Sequence, residues 1–322
     1  MNIVDQILAG DVRAVARLLR DIDDQMPSAR EILKELYPHT GKAYILGFTG
    51  SPGVGKSTLV DQMAMEYRKK GLTVGILAID PTSPFTGGAI LGDRIRMQRH
   101  FLDGGVFIRS LATRGHFGGL TISARAVINV LDAMGKDYIL VETVGVGQDE
   151  VEIANAAHTT IVVTVPGLGD DIQAIKAGIL EIGDLFVINK ADREGVERTW
   201  HDLMTMIDMR YSDTPPNGWR PQVFKTEAPR NIGVAELMAA VFAHQEYLHR
   251  DGGCHLAEIM APRLRRELLD LIIYGLKEQI LPQLLQEEQL ETALGEIAAR
   301  RLDPYTVSDD LIQRLKQRCG LT

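Results

Sequence analysis

The segment Tyr44–Leu59, YILGFTGSPGVGKSTL, restricts the fold more than any other stretch of this 322-residue chain. Tyr44 to Thr49 is a short, mostly apolar run of the kind that forms a buried strand. Gly50 to Ser57 then satisfies G-x-x-x-x-G-K-[ST] at every required position. The spacing has a mechanical basis. Gly50, Gly53 and Gly55 let the backbone turn tightly, so that the loop Ser51-Pro52-Gly53-Val54-Gly55 directs its available N–H groups at phosphate oxygens. Lys56 brings a point charge to the β- and γ-phosphates, and Ser57 offers a hydroxyl to Mg²⁺. A helix that starts here and takes in Thr58 adds its positive N-terminal end. Strand, loop and helix together predict a nucleoside-triphosphate site.

The strands that follow have the same character. Candidates are Thr73–Ile79, Val106–Arg109, Tyr138–Val141, Thr160–Val165, Leu185–Ile188 and Gln222–Lys225, with helical segments between them. Several are near-continuous apolar runs, as in a parallel sheet buried on both faces. The expected fold is an open, doubly wound α/β domain with a mostly parallel sheet, carrying N-terminal and C-terminal helical extensions. Ligands then belong at the carboxyl ends of the strands. The expected boundaries are 1–42 for the first extension, 43–252 for the α/β domain and 253–322 for a C-terminal helical arm. In the first extension, Ile3, Ile7, Leu8, Val12, Val15, Leu18 and Leu19 recur at helical spacing, and Ser28 is the expected cap of a second helix. In the last, Leu264, Leu268, Leu271, Ile272, Leu276, Ile280, Leu284 and Leu285 trace an apolar stripe. Its spacing suits packing on the parent domain and a subunit interface equally. Pro282 should kink or break that helix, and Ser308 should cap a final one.

Composition narrows the partners. A net charge of −8 argues against a broad surface for nucleic acid or anionic membrane. No apolar run is long enough to span a bilayer, and the first residues lack a signal-peptide pattern. Two distant cysteines, Cys254 and Cys319, suit a reducing cytoplasm. The eight histidines make no H-x-x-x-H or Cys/His cluster, so a protein zinc site is not expected.

Further motifs fall where strands end. Asn189-Lys190-Ala191-Asp192 has the form N-K-x-D. The Asp192 carboxylate can accept from guanine N1–H and the N2 amino group together, a pair that adenine does not offer. The Asn189 side chain is expected to tie this loop to the base and to the phosphate loop. After the last strand, Thr226-Glu227-Ala228, followed by Pro229, can offer N–H groups to the guanine carbonyl. Asp80, Asp93 and Glu142, with Ser57, form an oxygen donor set suited to octahedral Mg²⁺. The Gly145 N–H can sense the γ-phosphate. Glycine-dense loops face this site and suit segments ordered by the γ-phosphate. Arg94, Arg96, Arg109, Arg114 and Lys176 are the cations in or beside them.

Long segments carry a resemblance: Gly50–Thr58, DPTSPFTGGAILGDRIRM from Asp80, IRSLATRG from Ile108, ETVGVGQDE from Glu142, PGLGDDIQAIKAGILEIGD from Pro166 and NKAD from Asn189. They resemble the MeaB/ArgK-type P-loop GTPases. The likeness extends to AGDVRAVARLL near the start and DPYTVSDDL from Asp303. It implies GTP and GDP as ligands, Mg²⁺, and a GTPase chaperone of an adenosylcobalamin-dependent acyl-CoA mutase, typically methylmalonyl-CoA mutase. Such a chaperone gates cofactor loading and protects the mutase. The resemblance also implies a homodimer through the C-terminal helices. Ser57, Asp80, Asp93 and Glu142 match the family's metal-site positions. Lys56, Glu142 and Lys176 become the candidates for the reaction itself, Lys176 within a loop that couples the partner to hydrolysis. Glu227 departs from the pattern, since relatives more often have a small residue such as Ser there.

Three rivals want other features. A metallocentre-assembly GTPase that delivers nickel would want a His-rich tract or a cysteine motif. A kinase or ATPase of amino-acid transport would need an acceptor pocket and no guanine preference, which Asn189 to Asp192 oppose. A nucleotide-dependent scaffold would never turn over.

Overall fold

The computed structural model describes residues 2–81, 97–100, 102–113, 119–143, 156–167, 180–211, 218–284 and 287–318. Its centre is a seven-stranded sheet in which every pairing is parallel. The strands are β1 (Tyr44–Thr49), β2 (Val74–Pro81), β3 (Val106–Thr113), β4 (Tyr138–Thr143), β5 (Thr159–Thr164), β6 (Leu185–Asn189) and β7 (Gln222–Thr226), in the order β3-β2-β4-β1-β5-β6-β7. Parallel neighbours need crossover connections, and helices supply three of them: α4 (Lys56–Lys69) between β1 and β2, α5 (Gly119–Ala133) between β3 and β4, and α6 (Val196–Arg210) between β6 and β7; α7 (Val234–His249) follows the last strand. Three helices precede the sheet, α1 (Ile3–Leu8), α2 (Val12–Asp23) and α3 (Pro27–Leu36).

Each of β1, β4, β5 and β6 is buried at every position, which is why these strands read as apolar runs. Alternate residues serve opposite faces. Tyr44, Leu46 and Phe48 of β1 join Leu59, Val60, Met63 and Tyr67 of α4 and Leu237 and Val241 of α7. Ile45 faces the other way, into a core with Val127 and Leu131 of α5 and Val15, Leu18 and Leu19 of α2. A third cluster seats Leu203 and Ile207 of α6 on Val162, Phe186 and Ile188. The N-terminal helices thus share the main core. Asp132 of α5 binds the stretch that follows them, accepting from the N–H groups of Gly41 (2.6 Å), Lys42 (3.2 Å) and Ala43 (3.0 Å).

Several details differ from the sequence expectation. Strand β3 runs to Thr113, four residues beyond Arg109. Arg109 pairs with Asp23 of α2, so it serves the packing of the N-terminal helices. Helix α3 starts at Pro27 with Met26 as its N-cap; Ser28 lies inside the first turn, because proline's fixed φ suits the first helical position. Asp11 caps α2, accepting from Arg13 N (2.7 Å) and Ala14 N (3.1 Å).

Close contacts divide the chain into two compact units, Met1–Leu264 and Arg265–Thr322. A long helix, α8 (Cys254–Gly275), passes through a π turn at Leu276–Ile280 into the short helix Leu281–Leu284. Pro282 therefore does not break the chain's helical course: it lacks an N–H and crowds the carbonyl four residues back, and the wider turn just before it accommodates both. Then come α9 (Glu287–Ala298) and α10 (Pro304–Arg318). Pro304 opens α10, and Asp303 accepts from Tyr305 N (3.0 Å) and Thr306 N (2.9 Å), so Asp303 caps the helix that Ser308 was expected to cap. Leu268, Leu269, Ile272, Ile273, Leu276, Leu290 and Leu294 are exposed along these helices. Among the described residues no helix is long and apolar enough to cross a membrane.

Candidate functional site

β1 lies at the middle of the sheet, between β4 and β5, so three strand ends surround the loop that leaves it. The loop departs under tight constraint. Gly50 has φ 131°, and a Cβ there would sit 2.0 Å from the Val163 carbonyl oxygen of β5. Gly55, with φ 96°, passes so close to Asn189 that a Cβ would meet its side-chain nitrogen at 2.4 Å. Only glycine fits either position. Between them Pro52 and Gly53 are exposed, Ser51 is half-buried and Val54 is buried. Helix α4 then begins at Lys56, so its free N–H groups and positive end face the loop.

Lys56 is 5% exposed. Its ammonium donates to the carbonyls of Gly50 (2.5 Å) and Ser51 (3.1 Å), folded back on the loop that a phosphate would fill. Ser57 follows, and its hydroxyl donates to Glu142 Oε1 at 2.7 Å. Register explains this meeting. Phe48 of β1 is paired with Glu142 of β4, one residue short of the end of each strand. Glu142 thus lies within β4, buried beside the start of α4, and not beyond the strand. Ala78 of β2 is paired with Glu142 on its other side, and Asp80 stands two residues further along β2. A hydroxyl and a carboxylate in contact are hard oxygen donors and fit a small divalent cation.

The second wall comes from β6 and β7. Their register sets Asn189 opposite Thr226. The Asn189 side chain donates to the Val54 carbonyl of the phosphate loop (2.9 Å) and accepts from Thr226 Oγ1 (3.1 Å) and the Ala228 N–H (3.2 Å). Lys190, with φ 54°, reaches back to the Gly53 carbonyl (2.7 Å). A left-handed lysine is uncommon, and here two bonds to one loop hold the turn. The Ala191 N–H donates to Thr226 O at 3.1 Å, so the two loops run side by side, and Asp192 next to Ala191 is exposed.

The last loop differs in detail from its sequence reading. The Glu227 N–H donates to Ile232 O (3.0 Å) and the Ala228 N–H to Asn189, so neither is turned to a base in this structure. The Glu227 carboxylate accepts from Arg230 at 3.0 Å, and Pro229 is exposed. Asn231 ties this loop to α4 through Glu66 at 2.8 Å.

Lys56, Ser57, Glu142, Asn189, Lys190 and Ala228 are therefore gathered around one loop. Asp93, Gly145 and Lys176, with Arg94, Arg96 and Arg114, lie outside the described residues, and Asp80 is described in its backbone only. Sequence reasoning passed over Asp61, which is 4% exposed on α4 and faces Arg99 and His100. A signal was present. Asp61 sits among Leu59, Val60, Met63 and Ala64, all of them buried, where a helix facing a sheet should be apolar.

The family described as methylmalonyl Co-A mutase-associated GTPase MeaB matches residues 14–279. A Pyrococcus abyssi protein named as a GTPase is 48% identical over 314 residues, covering 98% of this chain and 96% of the relative. GTPase ArgK of Escherichia coli is 32% identical over 259 residues, 77% of each chain. The solved structure of a LAO/AO transport system kinase shares the fold, with TM-score 0.69 at 24% identity over 98% of this chain and 96% of that one. The family match takes in well over half of the sequence, and the loop it centres on has the geometry just described. The chain belongs to the MeaB family: it is a P-loop GTPase, and guanine nucleotides are its ligands.

Proposed function

We propose that this GTPase serves an adenosylcobalamin-dependent acyl-CoA mutase of the methylmalonyl-CoA mutase type in the cytoplasm, gating cofactor loading and protecting the enzyme. One observation carries the proposal: the family whose description names that mutase fits residues 14–279. The site supports a nucleotide-dependent switch. Lys56, Ser57 and Asn189 all bond to the phosphate loop or to the strand beside it, so a change at the loop is felt on both walls.

The chemistry follows from what each group can do. GTP draws the Lys56 ammonium from the Gly50 and Ser51 carbonyls to the β- and γ-phosphates. Ser51 to Thr58 supply the N–H groups and the helix end that cradle them. Ser57, Glu142, Asp80 and Asp93 are the residues that would hold Mg²⁺, which when bound neutralises phosphate charge. Gly145 senses the γ-phosphate, and Asp192 reads the guanine edge. Asn189 and Lys190 keep that reader in register with the loop, while Glu227, Ala228 and Pro229 close the base side. Water is the nucleophile. Lys176 stabilises developing charge once the mutase has docked. The exposed apolar face of α8–α10 is the surface through which two copies pair.

The test measures GTP hydrolysis alone and with the purified mutase, together with mutase lifetime under turnover. Faster hydrolysis with the mutase and a longer mutase lifetime with GTP are expected. Unchanged hydrolysis and an unchanged lifetime with a panel of such mutases would sink the proposal. Lys176→Ala should keep basal hydrolysis and lose the stimulation.

A further inference from the structure

The loop between β7 and α7 is held from two sides. On its inner side Thr226 and Ala228 are fully buried. The Ala228 N–H donates to Asn189 Oδ1 at 3.2 Å, and the Asn189 amide donates in turn to the Val54 carbonyl of the phosphate loop at 2.9 Å. On its outer side residues 229–232 are all exposed. Glu227 and Ile232 exchange backbone bonds of 3.0 and 3.4 Å across this turn, and Arg230 closes on the Glu227 carboxylate at 3.0 Å. A further bond leaves the turn for another element: Asn231 Nδ2 donates to Glu66 Oε1 of α4 at 2.8 Å.

These contacts close a ring. Glu66 stands ten residues after Lys56 in the same helix, about 15 Å along its axis. α4 is therefore a strut from the phosphate loop to the outer side of the β7–α7 loop. From there the ring returns through Asn231, Ala228 and Asn189 to Val54. The strut is packed along its length, with Leu59, Met63 and Tyr67 in one core with Val234 and Leu237 of α7. A close-packed helix does not shift without moving that core.

The backbone offers a plainer reason for Asn231. Its φ is 57°, and asparagine enters the left-handed region more readily than most residues. That accounts for the residue type but not for the course of its side chain, which ends on a carboxylate, a strong acceptor. The Glu227 and Ala228 N–H groups are already bonded within the protein, so the loop meets a base as a preformed wall. Such a wall adds affinity by standing in place beforehand; an unfastened turn would have to be ordered on binding.

We infer that Asn231 and Glu66 form a positioning latch for guanine recognition. The latch fastens the base-side loop to the far end of the phosphate-loop helix, so the spacing between base wall and phosphate cradle is set before the nucleotide arrives. It rests on the reading that Glu227, Ala228 and Pro229 close the base side. Asn231 and Glu66 act through that loop.

The experiment measures GDP affinity by calorimetry and ADP affinity by competition, on the full chain. Asn231→Gly keeps the left-handed turn and deletes the donor. Glu66→Ala deletes the acceptor. Each should weaken GDP about fivefold and leave ADP within twofold, because adenine does not use the guanine contacts. The double variant should be no worse than either single one, since both remove one bond. Asn231→Asp sets two carboxylates face to face and should weaken GDP at least as much; adding Glu66→Gln supplies a donor to the new carboxylate and should bring GDP affinity back to within twofold of wild type. Lys69→Ala, which removes the other partner of Glu66, should leave GDP affinity within twofold. A merely structural role would lower the melting temperature without changing the ratio of GDP to ADP affinity. A wild-type ratio in both Asn231→Gly and Glu66→Ala would overturn the latch, as would additive losses in the double variant. Asn231 is exposed, so Asn231→Gly decides the question if Glu66→Ala folds poorly. Hydrogen exchange of the wild-type amides at 227–232 separates the latch from the reading beneath it. GDP should slow that exchange more than ADP does. If GDP leaves it unchanged, the base-side reading fails and the latch with it; if GDP slows it while the variants keep the wild-type ratio, the latch alone fails.

Discussion

The two ends of one sheet solve the same problem in opposite ways. At the carboxyl ends of β1, β4, β6 and β7, polar side chains bond mainly to backbone carbonyls and to one another across loops. The Lys56 ammonium, the Ser57 hydroxyl and the Asn189 amide all do so. At the amino ends, polar groups close on each other inside the core. Tyr44 Oη lies 2.6 Å from Thr159 Oγ1, which lies 2.8 Å from His244 Nδ1. His158 Nδ1 accepts from the Ile45 N–H at 3.2 Å. Around them Tyr44 meets Tyr138 edge-on at 5.9 Å, and Trp219 lies against His244 at 4.4 Å. At the first end the Lys56 ammonium and the Ser57 hydroxyl have partners that can be exchanged for a phosphate or its cation. The second holds groups whose partners are permanent. Function and stability are thus separated along the strand axis, and substitutions at the two ends should separate them again.

The largest expected effect is at the carboxyl end and on the ligand. Asp192 is exposed, and its carboxylate meets the guanine donors only in the complex. Asp192→Asn inverts the donor–acceptor pattern at N1. GTP affinity should fall by at least about 10²-fold, and xanthosine triphosphate should become the preferred ligand. The melting temperature should stay within about 2 °C, because no core contact is lost. Competitive binding of the two nucleotides checks this; unchanged GTP affinity would remove the guanine assignment of this carboxylate.

What the sequence disclosed follows the same division. The phosphate loop was legible because close backbone approach leaves only glycine at Gly50 and Gly55. The strands were legible because both faces of the sheet are covered, so apolar residues follow one another without alternation. β3 was shortened in the reading because its second half, Ser110 to Thr113, mixes polar and small residues. Ser28 and Ser308 were credited as caps because the prolines at Pro27 and Pro304, which set those helix starts, were not weighed. The network at the amino ends left no trace. His158 and His244 stand 86 residues apart, and only the strand order brings their neighbourhoods together. Asp61 and His100 were hidden for the same reason, since which cation meets a buried acid depends on how a later segment crosses the helix.

The second expected effect is on stability and depends on acid. Burial, with the positive charge of Arg263 as a lesser cause, pushes His244 down to about 4. His158 is also pushed down to about 4, by burial first and then by Arg263 and His249. In the unfolded chain both titrate near 6.5. Between these values the unfolded state binds more protons, so stability is full above about pH 6.5 and falls as pH drops toward 4. At pH 5 each histidine should cost about 2 kcal/mol. Chemical unfolding at pH 7.5 and pH 5, for wild type and His244→Gln, measures this. The variant should lose less between the two pH values than wild type does. An equal loss would mean that His244 is not held neutral by its burial.

The smallest effect isolates one hydroxyl of the closed end. Thr159 stands between Tyr44 and His244 and is fully buried. A single arrangement of protons satisfies all three: Tyr44 donates to Thr159, and Thr159 donates to the unprotonated Nδ1 of His244. Thr159→Val keeps the branched shape that suits the start of β5 and removes both bonds. Tyr44 then has a buried O–H with no acceptor, and His244 a buried nitrogen with no donor. The cost should be about 1–2 kcal/mol, a melting shift of a few degrees for a unit of this size. GTP affinity should not change, because the nearest nucleotide contact is a strand length away and the backbone pairing of Leu46 with Thr159 is kept. A large loss of GTP affinity with little loss of stability would reverse the assignment of roles to the two ends. A variant as stable as wild type would show that the hydroxyl only fills space. Either result can be read from a melting curve and a nucleotide titration on the same preparation.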